Sequence, residues 1–138
     1  MFTRLSTLIL AAMACAVCCG FTKVQDLTLE QKIGQLLMVY FHGEIANEDA
    51  KTAIQELYVG SIIYYNWANG LTSPEQVKKL SAGLQALATT PLIIAVDQEG
   101  GVVSRLIQGF TVFPGNKALG MTGNAELAER SSYAMGLE

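Results

Sequence analysis

Cysteine is absent from most of this chain: Cys15, Cys18 and Cys19 are its only three, and all fall within the first twenty residues. The remaining stretch therefore carries neither a disulfide framework nor a thiolate metal site. Histidine is as scarce, with His42 alone. A histidine-based metal cluster lacks its parts, and Ser104, Ser131 and Ser132 have no histidine and acid to complete a nucleophilic relay. Charge of either sign is thin: 9 basic and 12 acidic residues are scattered without runs, for a net charge of −3. No basic stripe forms, which argues against nucleic acid as a partner. What the chain does have is apolar content, 51% of 138 residues, enough for one folding unit with a core and too short for two.

Part of that content belongs to the start. Arg4 supplies a positive n-region, Leu8 to Ala16 an apolar run, and Ala12-Met13-Ala14 a small-residue cleavage pattern, so residues 1–20 read as an export leader. The run is short for a membrane span. A cysteine behind small residues at the end of such a leader resembles a bacterial lipoprotein site, with Cys15, Cys18 and Cys19 as candidates for lipid attachment to the membrane. None of the three has a leucine three residues before it. An ordinary signal peptide, or a retained apolar leader, is the alternative. Either processed form places the domain, residues 26–138, outside the cytoplasm in the periplasm or cell envelope.

Thr28-Leu29-Glu30-Gln31 has the spacing of a capping box and predicts a helix start, with Leu29, Ile33, Leu36 and Leu37 on one face. A buried strand begins near Leu36 and ends before His42-Gly43. Asn47 caps a second helix along which Ala50, Ala53, Ile54 and Leu57 recur before Gly60. Gly60 to Asn66 reads as a strand and Trp67-Ala68-Asn69-Gly70 as a loop. Ser73-Pro74-Glu75-Gln76 opens a third helix, with Gln76 closing a box and Val77, Leu80, Leu84 and Leu87 facing inward. Pro91 to Asp97 is an apolar strand covered on both faces, followed by a long glycine-containing loop and a helix from Asn124 onward.

This alternation is that of a parallel α/β fold. A doubly wound sheet and a (β/α)8 barrel both produce it. A barrel needs eight units in about 250 residues, and a small doubly wound sheet about five strands, so three strands make either one incomplete.

In such folds the reactive groups gather at the carboxyl ends of the strands, here His42, Asn66 and the stretch from Asp97. Asp97-Gln98-Glu99-Gly100-Gly101-Val102-Val103-Ser104-Arg105 follows a wholly apolar strand. An acid placed there is costly unless something binds it. Asp97 accepts and Arg105 donates several hydrogen bonds, while the paired glycines allow a sharp turn and close approach to a ligand, a set suited to a polyhydroxylated molecule. The competing reading is structural: Asp97 and Arg105 pair with each other, or Asp97 caps a turn. Asp97 and Glu99 do not suit the two carboxylates of a retaining glycosidase, roughly 5–5.5 Å apart, since both leave one strand and cannot flank a sugar. Tyr64, Tyr65 and Trp67 offer faces for stacking on a sugar ring, or else belong to the core.

Leu27 to Leu36 resembles the opening segment of family 3 glycoside hydrolases, and Asp97-Gln98-Glu99-Gly100-Gly101 followed by Arg105 is similar to the signature of their β-N-acetylhexosaminidase branch. Gly60-Ser61-Ile62-Ile63, Phe113-Pro114-Gly115-Asn116, Ala118-Leu119-Gly120 and the helix from Asn124 follow in the family's order. The resemblance implies a partial (β/α)8 barrel, about its first three βα units. It also implies a retaining mechanism without metal or organic cofactor, acting on terminal β-linked N-acetylglucosamine of glycans. Asp97 and Arg105 then bind that sugar, and Glu99 is a buried partner shaping the loop. Many relatives have arginine at the position of Val102, which affects the packing of that loop.

The same resemblance places the acid/base histidine on a later Lys-His…Pro-Gly loop and the aspartate nucleophile later still. Neither appears in these 138 residues, and His42 matches no family motif, so it is expected to be solvated or loop-packing. No catalytic residue is therefore assigned. The expectation is an N-terminal piece of a barrel, inactive alone, with a second polypeptide able to complete it. A non-catalytic sugar-binding piece and a gene remnant are the rivals.

Overall fold

The computed structural model describes residues 24–138. The leader over residues 1–20 and its three cysteines lie outside the described residues. Within them, no helix is long and apolar enough to cross a membrane.

Three strands form a parallel sheet in sequential order: β1 (Met38–Val39), β2 (Ser61–Tyr64) and β3 (Ile93–Val96). β2 is central, with Met38 opposite Ser61 and Tyr64 opposite Val96. Helix α1 (Leu29–Gln35) precedes β1, α2 (Glu48–Lys51) precedes β2 and α4 (Pro74–Leu87) precedes β3, while a one-turn helix α3 (Asn66–Asn69) follows β2. This is the strand-helix repeat of a parallel barrel wall.

The three expected N-caps form, and one of the two expected capping boxes closes. Thr28 Oγ1 accepts from the Gln31 N–H at 3.2 Å, and Gln31 Oε1 accepts from the Thr28 N–H at 2.9 Å. Asn47 Oδ1 caps α2 through the Ala50 N–H. Ser73 caps α4, but the Gln76 side chain does not return to it. Its carbonyl takes the Thr72 N–H, and its amide donates to the Glu44 and Asn69 carbonyls, tying α4 to the loops ahead of it.

The core lies between one face of the sheet and the helices. Ile62 and Tyr64 project from β2 onto Leu80 and Leu84 of α4, with Ala50 and Ile54 beside them. Residues two apart share a face, so Ile94 and Val96 of β3 join this side, partly buried. Ile93 points the other way and is 66% exposed. The expectation that β3 is covered on both faces is thus corrected: helices cover one side, and the other is bare among the described residues.

On α1 the apolar face of Leu29, Ile33, Leu36 and Leu37 is exposed. What buries this helix is Gly34, whose carbonyl accepts from the Gly60 N–H at 3.0 Å. Bare backbone approaches bare backbone there, and a leucine stripe plays no part. Leu57 is also exposed, because α2 passes into a single π-helical turn (Thr52–Glu56) that rotates the end of the helix. The chain then turns at Tyr58 with φ of 56°.

Tyr64 is buried, and its hydroxyl lies 2.9 Å from Ser81 Oγ. Burial raises its pKa above 10.0, partly offset by that hydrogen bond. A phenol raised in the folded state stabilises the fold below its unfolded pKa, and that contribution is lost as pH rises through the folded value. Urea midpoints measured from pH 8 to above 10 are therefore expected to fall more steeply for the native chain than for Tyr64→Phe. Near neutrality the variant loses only its hydrogen bond, about 1 kcal/mol.

Candidate functional site

The stretch after β3 is not the plain loop expected. Gln98–Gly100 (β4) and Val103–Ser104 (β5) pair antiparallel, with an irregular step between Gln98 and Gly100. Gly100 and Gly101 turn the chain with φ of 81° and 60°. Their closeness serves the chain itself rather than a ligand. A Cβ on Gly100 would stand 2.5 Å from the Pro114 carbonyl oxygen, and the Gly101 N–H donates to the Phe113 carbonyl at 2.8 Å. The sequence Phe113-Pro114-Gly115 is thereby strapped across the hairpin. Val102 lies fully exposed at its tip, so at this position nothing packs. Glu99 is exposed as well, which corrects its expected role as a buried partner.

This hairpin holds Arg105 over the carboxyl end of the sheet. Gln98 Oε1 accepts from the Arg105 N–H at 2.8 Å and the Leu106 N–H at 3.1 Å, and its amide donates to the Leu106 carbonyl at 3.0 Å. Asn66, at the exit of β2, donates to the Arg105 carbonyl. The backbone of Arg105 is gripped from two elements, which leaves only its side chain to move. Sequence placed Asn66 on this rim and Gln98 beside Asp97, but three-residue spacing carries no sign of either clamp.

Asp97 and Arg105 meet, the contact that the competing structural reading anticipates. Their nearest charged atoms are 3.9 Å apart, with the side chains 45% and 29% exposed respectively. That is an ion pair beyond hydrogen-bond length. The guanidinium Nε is buried and, among the described residues, has no acceptor. Burying such a donor unpaired costs free energy. The pair is therefore loose, and both partners keep hydrogen-bonding capacity for a ligand.

Beside it lies an aromatic group. The Arg105 guanidinium sits 6.0 Å from the Tyr65 ring centroid, at the outer limit of a cation–π contact. Trp67 stacks on Tyr65 at 5.2 Å and 20°, and Tyr40 meets Trp67 edge-on at 5.0 Å. His42 is exposed and borders the group, 5.5 Å from Trp67. Its loop-packing role is the one expected, whereas Tyr64 belongs to the core and Tyr65 and Trp67 do not. Trp67-Ala68-Asn69-Gly70 is largely a helical turn rather than a loop, because Asn69 folds back on it: its Oδ1 accepts from the Tyr65 N–H at 3.0 Å.

The opposite end of the sheet carries an open hollow of about 270 Å³ lined by Gln31, Ile54, Gln55, Tyr58, Leu87 and Thr89, with no charged group in its lining. A second hollow lined by Leu27, Gln31, Gln35, Tyr58 and Thr89 holds about 20 Å³, room for one water and not for a sugar.

A parallel βα wall with its polar groups at the carboxyl ends of its strands defines a piece of a (β/α)8 barrel of the enzyme type. The chain belongs to the glycosyl hydrolase family 3 N terminal domain family, which matches residues 28–138. It is 39% identical over 84 residues to a beta-hexosaminidase of Nitrosomonas eutropha, covering 61% of this chain and 24% of that protein. A beta-hexosaminidase of Pseudomonas aeruginosa is 36% identical over 103 residues, 74% of this chain and 30% of that one. Among solved structures, a glycoside hydrolase family 3 beta-N-acetylglucosaminidase from Paenibacillus superimposes with a TM-score of 0.76 at 51% identity, over 80% of this chain and 21% of that one. The chain thus spans about a quarter of the length of the curated relatives it matches.

Proposed function

We propose that this chain forms the sugar-binding side of a retaining β-N-acetylhexosaminidase-type glycoside hydrolase, with Asp97 and Arg105 holding the terminal N-acetylglucosamine of a cell-wall or similar glycan. The observation that carries the reading is the Asp97 to Arg105 pair, 3.9 Å apart with both side chains partly exposed, at the strand ends of a family 3 barrel wall. A carboxylate accepts from sugar hydroxyls, and a guanidinium donates to hydroxyl or acetamido oxygen. The beta-hexosaminidase and beta-N-acetylglucosaminidase names of the relatives support the same substrate class.

These 138 residues are expected to bind without hydrolysing, since the family resemblance puts the acid/base histidine and the nucleophilic aspartate on later loops, which further residues of the same or a second polypeptide would supply. The leader pattern supports an exported protein of the periplasm or cell envelope, with lipid attachment at Cys15, Cys18 or Cys19 as one form.

The test is direct titration of N-acetylglucosamine into the chain, followed by heteronuclear NMR. Saturable shifts at Asp97 and Arg105 are expected, and Asp97→Ala should weaken binding by tenfold or more, as expected for a charge-assisted hydrogen bond of about 1.5–3 kcal/mol. Binding unchanged in that variant, or chromogenic β-N-acetylglucosaminide turnover by the purified chain, would contradict the reading.

A further inference from the structure

Tyr65 and Trp67 are not needed to form the core, yet they are held in fixed orientation at the surface. Trp67 touches three rings, Tyr40 at 5.0 Å and 73°, Tyr65 at 5.2 Å and 20°, and His42 at 5.5 Å, and remains 63% exposed. Its backbone is fixed by the one-turn helix, where the Ala68 carbonyl accepts from the Gly43 N–H at 2.9 Å and Asn69 is fully buried. A large aromatic ring oriented this firmly while facing solvent is a platform: its entropy cost is already met, and beyond the contact with Tyr65 most of it is open to solvent. The platform is also continuous with the polar pair, through Arg105 over the Tyr65 ring and Asn66 bonded to the Arg105 carbonyl.

We propose that Trp67, supported by Tyr40 and Tyr65, forms a second sugar subsite that stacks on the ring next to the one held by Asp97 and Arg105, so the chain prefers a β-linked disaccharide to a monosaccharide. A pyranose presents an apolar C–H face to such a ring and hydroxyls at its edge, where exposed His42 can hydrogen-bond them. This inference rests on the sugar-binding reading above, and its test separates the two.

Trp67 is the only tryptophan in the chain, so intrinsic fluorescence reports on the platform alone. N,N′-diacetylchitobiose and N-acetylglucosamine are titrated into the full chain, its Trp67→Ala and Trp67→Phe variants, and Asp97→Ala, with folding checked by circular dichroism and affinities measured by calorimetry. The native chain should bind the disaccharide about tenfold more tightly than the monosaccharide, with a change in Trp67 emission. Trp67→Ala should bring the two affinities together with the monosaccharide affinity within twofold of native, and Trp67→Phe should recover part of the preference. An unchanged preference in folded Trp67→Ala would overturn the subsite and leave the Asp97 and Arg105 reading intact. Disaccharide binding that survives Asp97→Ala but not Trp67→Ala supports the platform while removing that reading. Failure of the native chain to bind either sugar overturns both.

Discussion

Replacing Asn69 with leucine is expected to cost about 2–4 kcal/mol of stability, the largest single loss among the polar residues described. Asn69 is completely buried and makes three side-chain hydrogen bonds: its amide donates to the Phe41 carbonyl at 3.0 Å and the Gly43 carbonyl at 3.2 Å, and its oxygen accepts from the Tyr65 N–H at 3.0 Å. Leucine has the same branching but is bulkier and has none of this capacity, so a donor and two acceptors lose their partner at once. The loss reaches the candidate site as well. Asn69 ties the segment after β1 to the one after β2, and those segments carry Tyr40, His42, Tyr65 and Trp67. Thermal unfolding should move down by about 10 °C or more for a domain of this size, and Trp67 emission should shift red below the transition as the platform loosens. A variant with native melting and native emission would show that these bonds are replaceable by water.

Gly60→Ala is expected to be nearly as damaging, at about 3 kcal/mol, the upper part of the range for forcing atoms into a packed site. The added Cβ would collide with the Gln35 carbonyl oxygen and stand 2.9 Å from the Gln35 carbonyl carbon and Cα. Gly34 is its counterpart on α1, where a Cβ would lie 2.6 Å from the Tyr58 carbonyl oxygen. All these neighbours are backbone, which cannot rotate away. The helix would have to lift off the start of β2, losing the Gly60 N–H to Gly34 carbonyl bond at 3.0 Å. Gly136→Ala is the control: it lies in helix α5 (Ala125–Leu137) with nothing within 4 Å, and should be neutral or stabilising by a few tenths to about 1 kcal/mol. Chemical denaturation of the three proteins side by side gives the comparison. Equal midpoints for Gly60→Ala and Gly136→Ala would mean that α1 is not held through its glycine.

The two variants touch different kinds of information. Hydrogen-bonding caps act over three residues, and so Thr28 with Gln31, Asn47 with Ala50 and Ser73 with Gln76 were readable directly from the chain, together with the inward pair Leu80 and Leu84. Parallel order β1-β2-β3 followed from the alternation of elements, since a strand-helix-strand connection returns each strand beside its predecessor. Asp97 and Arg105 were visible as polar groups after an apolar strand, and they do meet.

What the chain alone could not disclose depends on contacts between residues far apart in sequence. Whether a leucine on α1 is inside or outside is decided by which face of the helix the glycine backbone contact turns toward the sheet, and it turned Leu29, Ile33, Leu36 and Leu37 outward. A run of apolar residues in β3 has the same composition whether one face or two are covered, and only packing shows Ile93 exposed. The β4–β5 hairpin was hidden because its strands are only three and two residues long and turn through Gly100 and Gly101; it is held by the strap at Phe113 and Pro114. Gln98 and Asn66 grip Arg105 across seven and thirty-nine residues. Local hydrogen bonding and hydrophobic period therefore determined the elements, their order and the polar pair, because these depend on near neighbours. The orientation of each face, the clamp on Arg105 and the aromatic platform were decided by tertiary structure, because each depends on groups that only folding brings within contact distance.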